Sequence, residues 1–352
     1  MAGGVGERFW PLSRRTFPKQ LLALQGSQTL LELAFRRIAP LVSEDNVYVV
    51  TTAALAPAIL EESPYLKPQN VLCEPEGKNT AASMALAVAA IEQRHGPALM
   101  AVKTADHLIG QEDDFRGSMR RGLDLAEKSD QLIVFGIRPT RPETGYGYIE
   151  LGEVVDEDPS LPCHAVAQFR EKPDRATAEK WVGAGNFLWN SGMFCWSTAT
   201  LRAGLAAHAP KHSEALVAMD KVALDRPDHA DALRPIFAAL PNLSIDFAVM
   251  DHARNLWALP VSYPWVDVGS WESVREVLLL DELQNARRGE TIAVDTKGST
   301  LYSTGPLIAT CGVEDLVIVA TDDAVLVCPR ARVAEIRSVV AALRDEKRES
   351  HL

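Results

Sequence analysis

The sequence is poor in the features that mark secreted and membrane proteins. Its five cysteines are scattered, odd in number and without zinc or redox spacing, so free thiols in a reducing compartment are expected. The longest apolar run, residues 81–91, is too short to span a bilayer. No charged segment followed by an apolar one opens the chain, as a secretion signal would. We expect a cytoplasmic protein with no membrane partner.

An excess of positive charge is also missing. The net charge of −11 argues against non-specific binding to nucleic acid, so no nucleic-acid partner is expected. The 352 residues, 47% apolar and 24% charged, are typical of a globular protein with room for more than one domain. A local cationic segment in such an acidic chain is therefore expected to serve a small anionic ligand.

That segment is the first 19 residues, which lack two familiar phosphate-binding motifs. Phe9 replaces the third glycine of the dinucleotide fingerprint, and no Gly-Lys-Ser/Thr follows as in a P-loop. Closely spaced glycines still allow positive φ and an anion-binding nest of backbone amides. The glycines are Gly3, Gly4 and Gly6, and the cations are Arg8, Arg14, Arg15 and Lys19. We favour a triphosphate site of a third kind over the alternative, a flexible N-terminus with surface arginines.

Strands and helices alternate from residue 46 to about residue 137. This alternation predicts βαβ units in a mainly parallel sheet, with ligands beyond the carboxyl ends of the strands. Asn79 is a plausible N-cap for the second of the predicted elements. The predicted elements are strand 47–50, helix 80–94, strand 98–102, helix 115–128 and strand 131–135.

Two aspartates are candidates for a Mg²⁺ site. Asp106 follows the strand that ends at Val102, and its alternative role is that of a turn residue or helix cap. Asp267 lies in an apolar run beside Gly269, where a carboxylate costs free energy unless it is paired or bound to a cation. Because Mg²⁺ is usually held by one or two carboxylates plus substrate phosphates, we predict such a site here.

Three further polar residues follow or interrupt predicted strands. Glu171 can accept hydrogen bonds from two hydroxyls while Lys172 meets a phosphate, although an exposed ion pair is an equal alternative. Asn190 lies inside an aromatic strand, where its amide must find backbone or ligand partners. Beyond a polar boundary at residues 285–290, five short strand candidates and a terminal helix predict a small β-helix-like or sandwich tail.

Six separate segments together resemble the mannose-1-phosphate guanylyltransferases, within the sugar-nucleotide pyrophosphorylase family. The resemblance covers nearly the whole chain. It departs from the usual pattern at Lys78, where Arg is usual, and at residues 104–105, where Pro-Ser is commoner. The segments are 9–14 (FWPLSR) with 18–20 (PKQ), 74–81 (EPEGKNTA), 104–107 (TADH), 169–173 (FREKP), 189–194 (WNSGMF) and 265–271 (WVDVGSW).

The resemblance implies a doubly wound α/β nucleotidyltransferase domain over residues 1–284 and a small left-handed β-helix tail over residues 285–352. The implied reaction transfers GMP from GTP to mannose 1-phosphate with Mg²⁺, and the oligomeric state is left open, with a homodimer as one option. Two alternatives remain, another sugar-1-phosphate nucleotidyltransferase such as a glucose-1-phosphate thymidylyltransferase, and a non-catalytic regulatory homologue.

The resemblance also implies roles for single residues. The triphosphate is assigned to Arg8, Lys19 and the glycines Gly3, Gly4 and Gly6. Mg²⁺ is assigned to Asp106 and Asp267. The base and the rest of the nucleotide are assigned to Glu74, Asn79 and Thr80, with Glu74 accepting from the two adjacent donors of guanine. Mannose 1-phosphate is assigned to Gly147, Glu171, Lys172 and Asn190.

The first strand of this fold is missing from the printed sequence, because Met1 lies immediately before the glycine loop. A central strand of about five apolar residues would contribute on the order of 7–15 kcal/mol, comparable to a domain's whole stability of about 5–15 kcal/mol. We expect that the start codon was assigned too late and that upstream codons encode a Val/Ile-rich run. The chain as written is then expected to be poorly soluble or inactive.

Overall fold

A mixed sheet forms the centre of the larger part of the chain. The computed structural model describes residues 1–4, 6–226 and 228–352. The strands of this part are β1 (Val49–Thr52), β2 (Val71–Glu74), β3 (Leu99–Val102), β4 (His107–Ile109), β5 (Leu132–Ile137), β6 (Tyr148–Asp156), β7 (Cys163–Arg170), β8 (Phe187–Ser197), β9 (Leu256–Val261) and β10 (Trp265–Asp267).

Helices cover the sheet, and their ends follow local capping chemistry. Thr29 Oγ1 accepts from the Glu32 amide at the start of the first helix, and Asp174 accepts from the Thr177 amide at the start of the fifth. Within the described ranges, no helix combines the length and the apolar character needed to span a bilayer. The helices are α1 (Leu30–Ile38), α2 (Ala56–Glu62), α3 (Asn79–His95), α4 (Glu112–Lys128), α5 (Arg175–Ala184), α6 (Thr198–His208), α7 (Pro210–Met219), α8 (His229–Ala238) and α9 (Trp271–Arg275).

Strand directions in the sheet are mixed. The strand order is β3-β8-β5-β9-β7-β6, with β6 also paired to β8. β5 and β9 are parallel, as are β1 and β2 in a separate pair. β8 runs antiparallel to β3, β5 and β6. The α/β class is confirmed, and the mainly parallel sheet expected from the sequence is corrected to a mixed one, because strand direction depends on connections that periodicity does not reveal.

An apolar cavity of about 540 Å³ separates the β1–β2 pair from β3. Residues of β1, β3, α1 and α3 line it, and Met1 lies at its edge. The Ala2 amide donates to Val50 O at 2.8 Å, and the Ala105 amide donates to Met1 O at 3.0 Å. The first two residues thus connect β1 to the segment that follows β3.

The C-terminal part is a β-helix. β11, β13 and β15 stack in parallel, β12 and β14 do the same, and β16 returns antiparallel to β15. This confirms the β-helix tail expected from the sequence. Its elements are β11 (Ala286–Arg288), β12 (Thr291–Val294), β13 (Thr300–Ser303), β14 (Ile308–Cys311), β15 (Leu316–Ala320), β16 (Val325–Pro329) and the closing helix α10 (Ile336–Asp345).

The N-terminal loop contacts the C-terminal part of the chain. The ring of Trp271 contacts those of Phe9 and Tyr302, with centroids 5.6 and 5.2 Å away. Trp10 Nε1 donates to His351 O at 2.8 Å, which ties the loop to the last residues of the chain. The loop that carries the predicted triphosphate residues is therefore held by residues more than 250 positions away in the sequence.

Candidate functional site

The glycine loop closes over Lys19. Gly6 has φ of 77°, and a Cβ placed there would collide with the Lys19 side chain, so both conformation and space favour glycine. Ser13 Oγ donates to Gly6 O at 2.7 Å and fixes the turn. Gly4 has no heavy atom within 4 Å of where its Cβ would be, so there is open space on that side of the loop. The loop thus packs at Gly6 against a lysine whose side chain is only 9% exposed.

Asp106 and Asp267 converge on Lys19. Asp106 lies between β3 and β4, while Asp267 ends β10, and the antiparallel pairing of β10 with β4 sets Asp267 opposite His107. Lys19 Nζ is 2.9 Å from Asp106 Oδ2 and 3.7 Å from Asp267 Oδ1. The structure therefore brings together three residues that lie far apart in the sequence and that the sequence analysis assigns to one site.

Charge compensation sets the ionisation of this cluster. Burial alone would raise the pKa of Asp106, but the Lys19 ammonium and His107 outweigh it and hold that pKa well below its usual range. Burial lowers the pKa of His107. Trp265 Nε1 donates to His107 Nδ1 at 3.1 Å, which leaves the His107 Nε2–H facing Asp267 Oδ1 at 3.7 Å. His107 was not among the site residues predicted from the sequence, although its position next to Asp106 was a signal.

Of the four cations in the first 19 residues, Arg8 and Lys19 reach this cluster. Arg8 Nη1 lies 3.9 Å from where a Cβ on Gly269 would be, and Asp267 Oδ2 lies at the same distance from that point. Arg14 instead pairs with Asp323 at 2.9 Å. Arg15 pairs with Glu349 at 2.6 Å, so Arg14 and Arg15 brace the C-terminal part rather than face the cluster.

The donor set fits a hard divalent cation. Asp106 and Asp267 supply carboxylate oxygens, and the Lys19 ammonium between them is the stand-in cation of this structure. In the part of the chain that the structure describes, no group of three or more potential metal-ligating side chains occurs. Two carboxylates without a third ligand leave coordination positions for phosphate oxygens of a substrate, which is the usual situation for Mg²⁺.

The residues assigned to the nucleotide lie beside the loop. Glu74 ends β2 and is buried, with Ser83 Oγ donating to its Oε1 at 2.8 Å, and burial raises its pKa to about 7. Its Oε2 lies 3.7 Å from where a Cβ on Gly3 would be. Asn79 does not cap α3 as predicted: it is the first helical residue, has φ of 68°, and its Oδ1 accepts from the Thr80 amide at 2.9 Å.

The four residues assigned to mannose 1-phosphate form one cluster. A Cβ on Gly147 would collide with Glu171 Oε2 and lie 3.2 Å from the Cβ of Asn190. The backbone N–H of Asn190 donates to Gly147 O at 2.8 Å. Lys172 Nζ is 3.4 Å from Glu171 Oε1. Burial, and then the charge of Asp246, raise the pKa of Glu171 to about 7.

Asp246 is a residue of this cluster that the sequence analysis missed. It begins a π-helical turn, Asp246–Met250, and its Oδ1 accepts from Asn190 Nδ2 at 2.8 Å. An acid that precedes a short apolar run gives no periodic signal, so only the presence of an acid before Phe247 could have drawn notice. The ring of Tyr146 contacts those of Trp189 and Trp265, each with centroids 5.3 Å away. Tyr146 therefore connects this cluster to the one around Lys19.

This chain is similar to known proteins in sequence and in structure. The family model described as Nucleotidyl transferase matches residues 1–283, and the MannoseP isomerase/GMP-like beta-helix domain matches residues 289–343. The Mannose-1-phosphate guanylyltransferase of Escherichia coli (strain K12) is 37% identical over 100% of this chain and 74% of its own length. The Xanthan biosynthesis protein XanB of Xanthomonas campestris pv. campestris (strain B100) is 36% identical over 99% of this chain and 73% of its own.

A solved structure agrees with these relatives. It is described as a mannose-1-phosphate geranyltransferase from Thermus thermophilus, is 34% identical, covers 98% of both chains and has a TM-score of 0.87. The chain therefore belongs to the nucleotidyl transferase family. Within it, the full-length similarity places the chain with the mannose-1-phosphate guanylyltransferases. Enzymes of this family generally use a divalent metal.

Proposed function

We propose that this chain transfers GMP from GTP to α-D-mannose 1-phosphate, giving GDP-mannose and pyrophosphate, with Mg²⁺ as the metal. The observation that carries the proposal is the convergence of Lys19, Asp106 and Asp267 next to a separate cluster of hydroxyl-binding and phosphate-binding groups. The names of the relatives supply the base and the sugar.

The reaction is an in-line substitution at the α-phosphorus of GTP. An oxygen of the sugar phosphate forms the new P–O bond, the bond to the bridging oxygen of the β-phosphate breaks, and pyrophosphate leaves with that electron pair. The attacking phosphate is already ionised, so positioning and charge neutralisation matter more than a general base. Arg8, Lys19 and the loop amides neutralise the triphosphate. When Mg²⁺ is bound by Asp106 and Asp267, it supplies Lewis-acid stabilisation of phosphate charge.

The remaining clusters orient the two substrates. Glu171, Asn190 and the backbone at Gly147 hold the mannose hydroxyls, and Lys172 meets the sugar phosphate. Glu74 accepts from the guanine edge, with Gly3 beside it and the start of α3 at Asn79 and Thr80 contributing to the nucleotide site. The high pKa of Glu74 makes this contact dependent on its ionisation, because only the carboxylate accepts from two donors.

We also propose that residues 1–284 are the catalytic domain and residues 285–352 the β-helix domain. A cytoplasmic location is supported by the five cysteines, all free thiols, of which Cys311 is exposed. A homodimer remains a proposal that the size of the protein in solution would test.

A pyrophosphate-release assay tests the proposed function. Four nucleoside triphosphates, including GTP, ATP and dTTP, are each combined with mannose 1-phosphate, glucose 1-phosphate or galactose 1-phosphate, with and without Mg²⁺. GTP with mannose 1-phosphate and Mg²⁺ is expected to give the fastest turnover. Faster release from dTTP or ATP with glucose 1-phosphate would assign the chain to another substrate pair, and no release from any pair would support a regulatory homologue.

A further inference from the structure

The π-helical segment that begins at Asp246 bridges the nucleotide and sugar clusters. π-Helical turns are rare and occur frequently at functional sites. Just before the turn, the Ile245 amide donates to Thr80 Oγ1 at 2.8 Å, which ties the segment to the start of α3. Just after it, Asp251 pairs with Arg170 at 3.0 Å, at the end of β7. The segment is therefore held at both ends, and Asp246 lies between the two ties.

Asp246 determines how Asn190 presents its amide. A carboxylate accepts hydrogen bonds and does not donate them, so the amide group that meets Asp246 Oδ1 at 2.8 Å is the Asn190 NH₂. Asn190 Oδ1 then accepts from the Gly192 amide at 3.0 Å. With both ends fixed, Asn190 keeps one N–H and one lone pair in a known orientation for a ligand.

Asp246 also acts on Glu171. Glu171 Oε2 is buried and, among the described residues, has no hydrogen-bond partner, while its Oε1 faces Lys172. The charged groups around Glu171 are Asp246, Asp251 and Lys172, and the last has a side chain that is 60% exposed. An unpartnered buried carboxylate oxygen requires a donor, and a sugar hydroxyl is a neutral donor of suitable size.

We propose that Asp246 is a positioning residue for the recognition of the sugar hydroxyls, acting through Asn190 and Glu171 rather than by touching the substrate. This inference rests on the proposed function, since it takes the sugar phosphate as the ligand of the Gly147–Glu171–Asn190 cluster. Loss of Asp246 frees the Asn190 amide to rotate and removes a negative charge next to Glu171. Both changes affect the sugar phosphate and leave the triphosphate cluster around Lys19 intact.

The test compares Asp246→Asn and Asp246→Ala with the control Asp231→Asn, which changes the same chemical group at an exposed position of α8. The KM for mannose 1-phosphate is expected to rise about tenfold in Asp246→Asn and further in Asp246→Ala. The KM for GTP is expected to stay within twofold in all variants. Asp231→Asn is expected to keep the KM for mannose 1-phosphate within twofold. Equal increases of KM for both substrates in Asp246→Asn would overturn the proposal.

A pH profile separates positioning from a purely structural role. The carboxylate form of Glu171 binds hydroxyls, so kcat/KM for mannose 1-phosphate is expected to rise with pH through about 7 in the wild type. Removing the neighbouring charge in Asp246→Asn is expected to move this limb to lower pH by roughly one unit. An unmoved limb in a folded Asp246→Asn variant would contradict the action on Glu171.

If Asp246→Ala is poorly folded, a double-mutant cycle with Asp246→Asn keeps the proposal testable. The cycle compares Asp246→Asn, Asn190→Ala and the double variant. If Asp246 acts through Asn190, the double variant loses less sugar affinity than the two single losses combined. Full additivity would overturn the coupling. A wild type that makes no GDP-mannose would contradict the proposed function. An active wild type with an unaffected Asp246→Asn variant would contradict this inference alone.

Discussion

Two pairs of acids in this structure have opposite electrostatic environments. Asp106 and Asp267 share the buried Lys19, which keeps the pKa of Asp106 well below its usual range. Glu171 and Asp246 have Lys172, largely exposed and in contact with one of them, and the pKa of Glu171 rises to about 7. Both Asp106 and Glu171 are buried, and the position of the cation decides whether the pKa falls or rises. An acid kept ionised by a buried cation suits a metal, whereas a buried carboxylate whose cation is largely exposed suits hydrogen-bond donors such as sugar hydroxyls.

The largest effect is expected at the charged pair. Asp106→Asn and Asp267→Asn should each lower turnover by about a thousandfold or more, because each keeps the shape of the side chain but removes a charge from the metal site. Steady-state GDP-mannose formation across a Mg²⁺ titration checks this. Asp113→Asn is the matched control, since its side chain is 98% exposed. Near-wild-type turnover of either variant at limiting Mg²⁺ would remove that residue from the metal site.

The pH dependence of the free energy of unfolding should reveal the buried acids whose pKa is raised. Burial raises the pKa of Glu74 and Glu171 from 4.5 to about 7, so each contributes stability that is complete below about pH 4.5 and lost as the pH rises through 7. The free energy of unfolding should fall between pH 5 and 8 by up to roughly 3 kcal/mol for each group. Urea unfolding at several pH values measures this.

Substitution of these two acids provides the control. Glu74→Gln and Glu171→Gln should each flatten part of that pH dependence, because the neutral amide no longer changes its protonation. Glu179→Gln, an exposed change on α5, should leave the slope as it is in the wild type. A wild-type stability that rises from pH 5 to 8 and owes nothing to Glu74 or Glu171 would contradict the contrast between the two pairs.

The next effect concerns the cation of the sugar cluster. Lys172→Met should raise the KM for mannose 1-phosphate by about thirtyfold, because its proposed partner is the sugar phosphate. The KM for GTP should change far less. Lys180→Met, an exposed lysine on α5, serves as the control. Equal losses for both substrates would assign Lys172 to a structural ion pair with Glu171.

The smallest effect is expected at the backbone of that cluster. Gly147→Ala places a methyl group against Glu171 Oε2, so Glu171 must move and the KM for mannose 1-phosphate should rise about tenfold. Gly183→Ala is the matched control, because a Cβ there meets no heavy atom within 4 Å. As Gly183 lies inside α5, its replacement should even stabilise the helix by up to about 1 kcal/mol. An unchanged KM in Gly147→Ala would place the mannose site elsewhere.

Sequence reasoning located residues at strand ends and failed where tertiary contacts decide. Asp106 and Asp267 were recognisable because carboxylates beside apolar runs need a cation. Arg14 was not distinguishable from Arg8, because its partner Asp323 lies 309 positions away. Asp246 was missed because its π-helical turn has no characteristic period and because its partner Asn190 belongs to another element. The strand directions were predicted wrongly for a similar reason, because β8 pairs antiparallel with three strands through long connections.

The partly open cavity between β1 and β3 leaves the apolar side chains that line it without packing partners on one side. Segments with few buried apolar contacts open locally at a lower free energy than the core of a domain. The β1–β2 pair borders this cavity of about 540 Å³ and is not part of the six-stranded sheet. Amide hydrogen exchange should therefore be faster in β1 and β2 than in the six-stranded sheet, so the segment that carries Glu74 should open before the one that carries the sugar site.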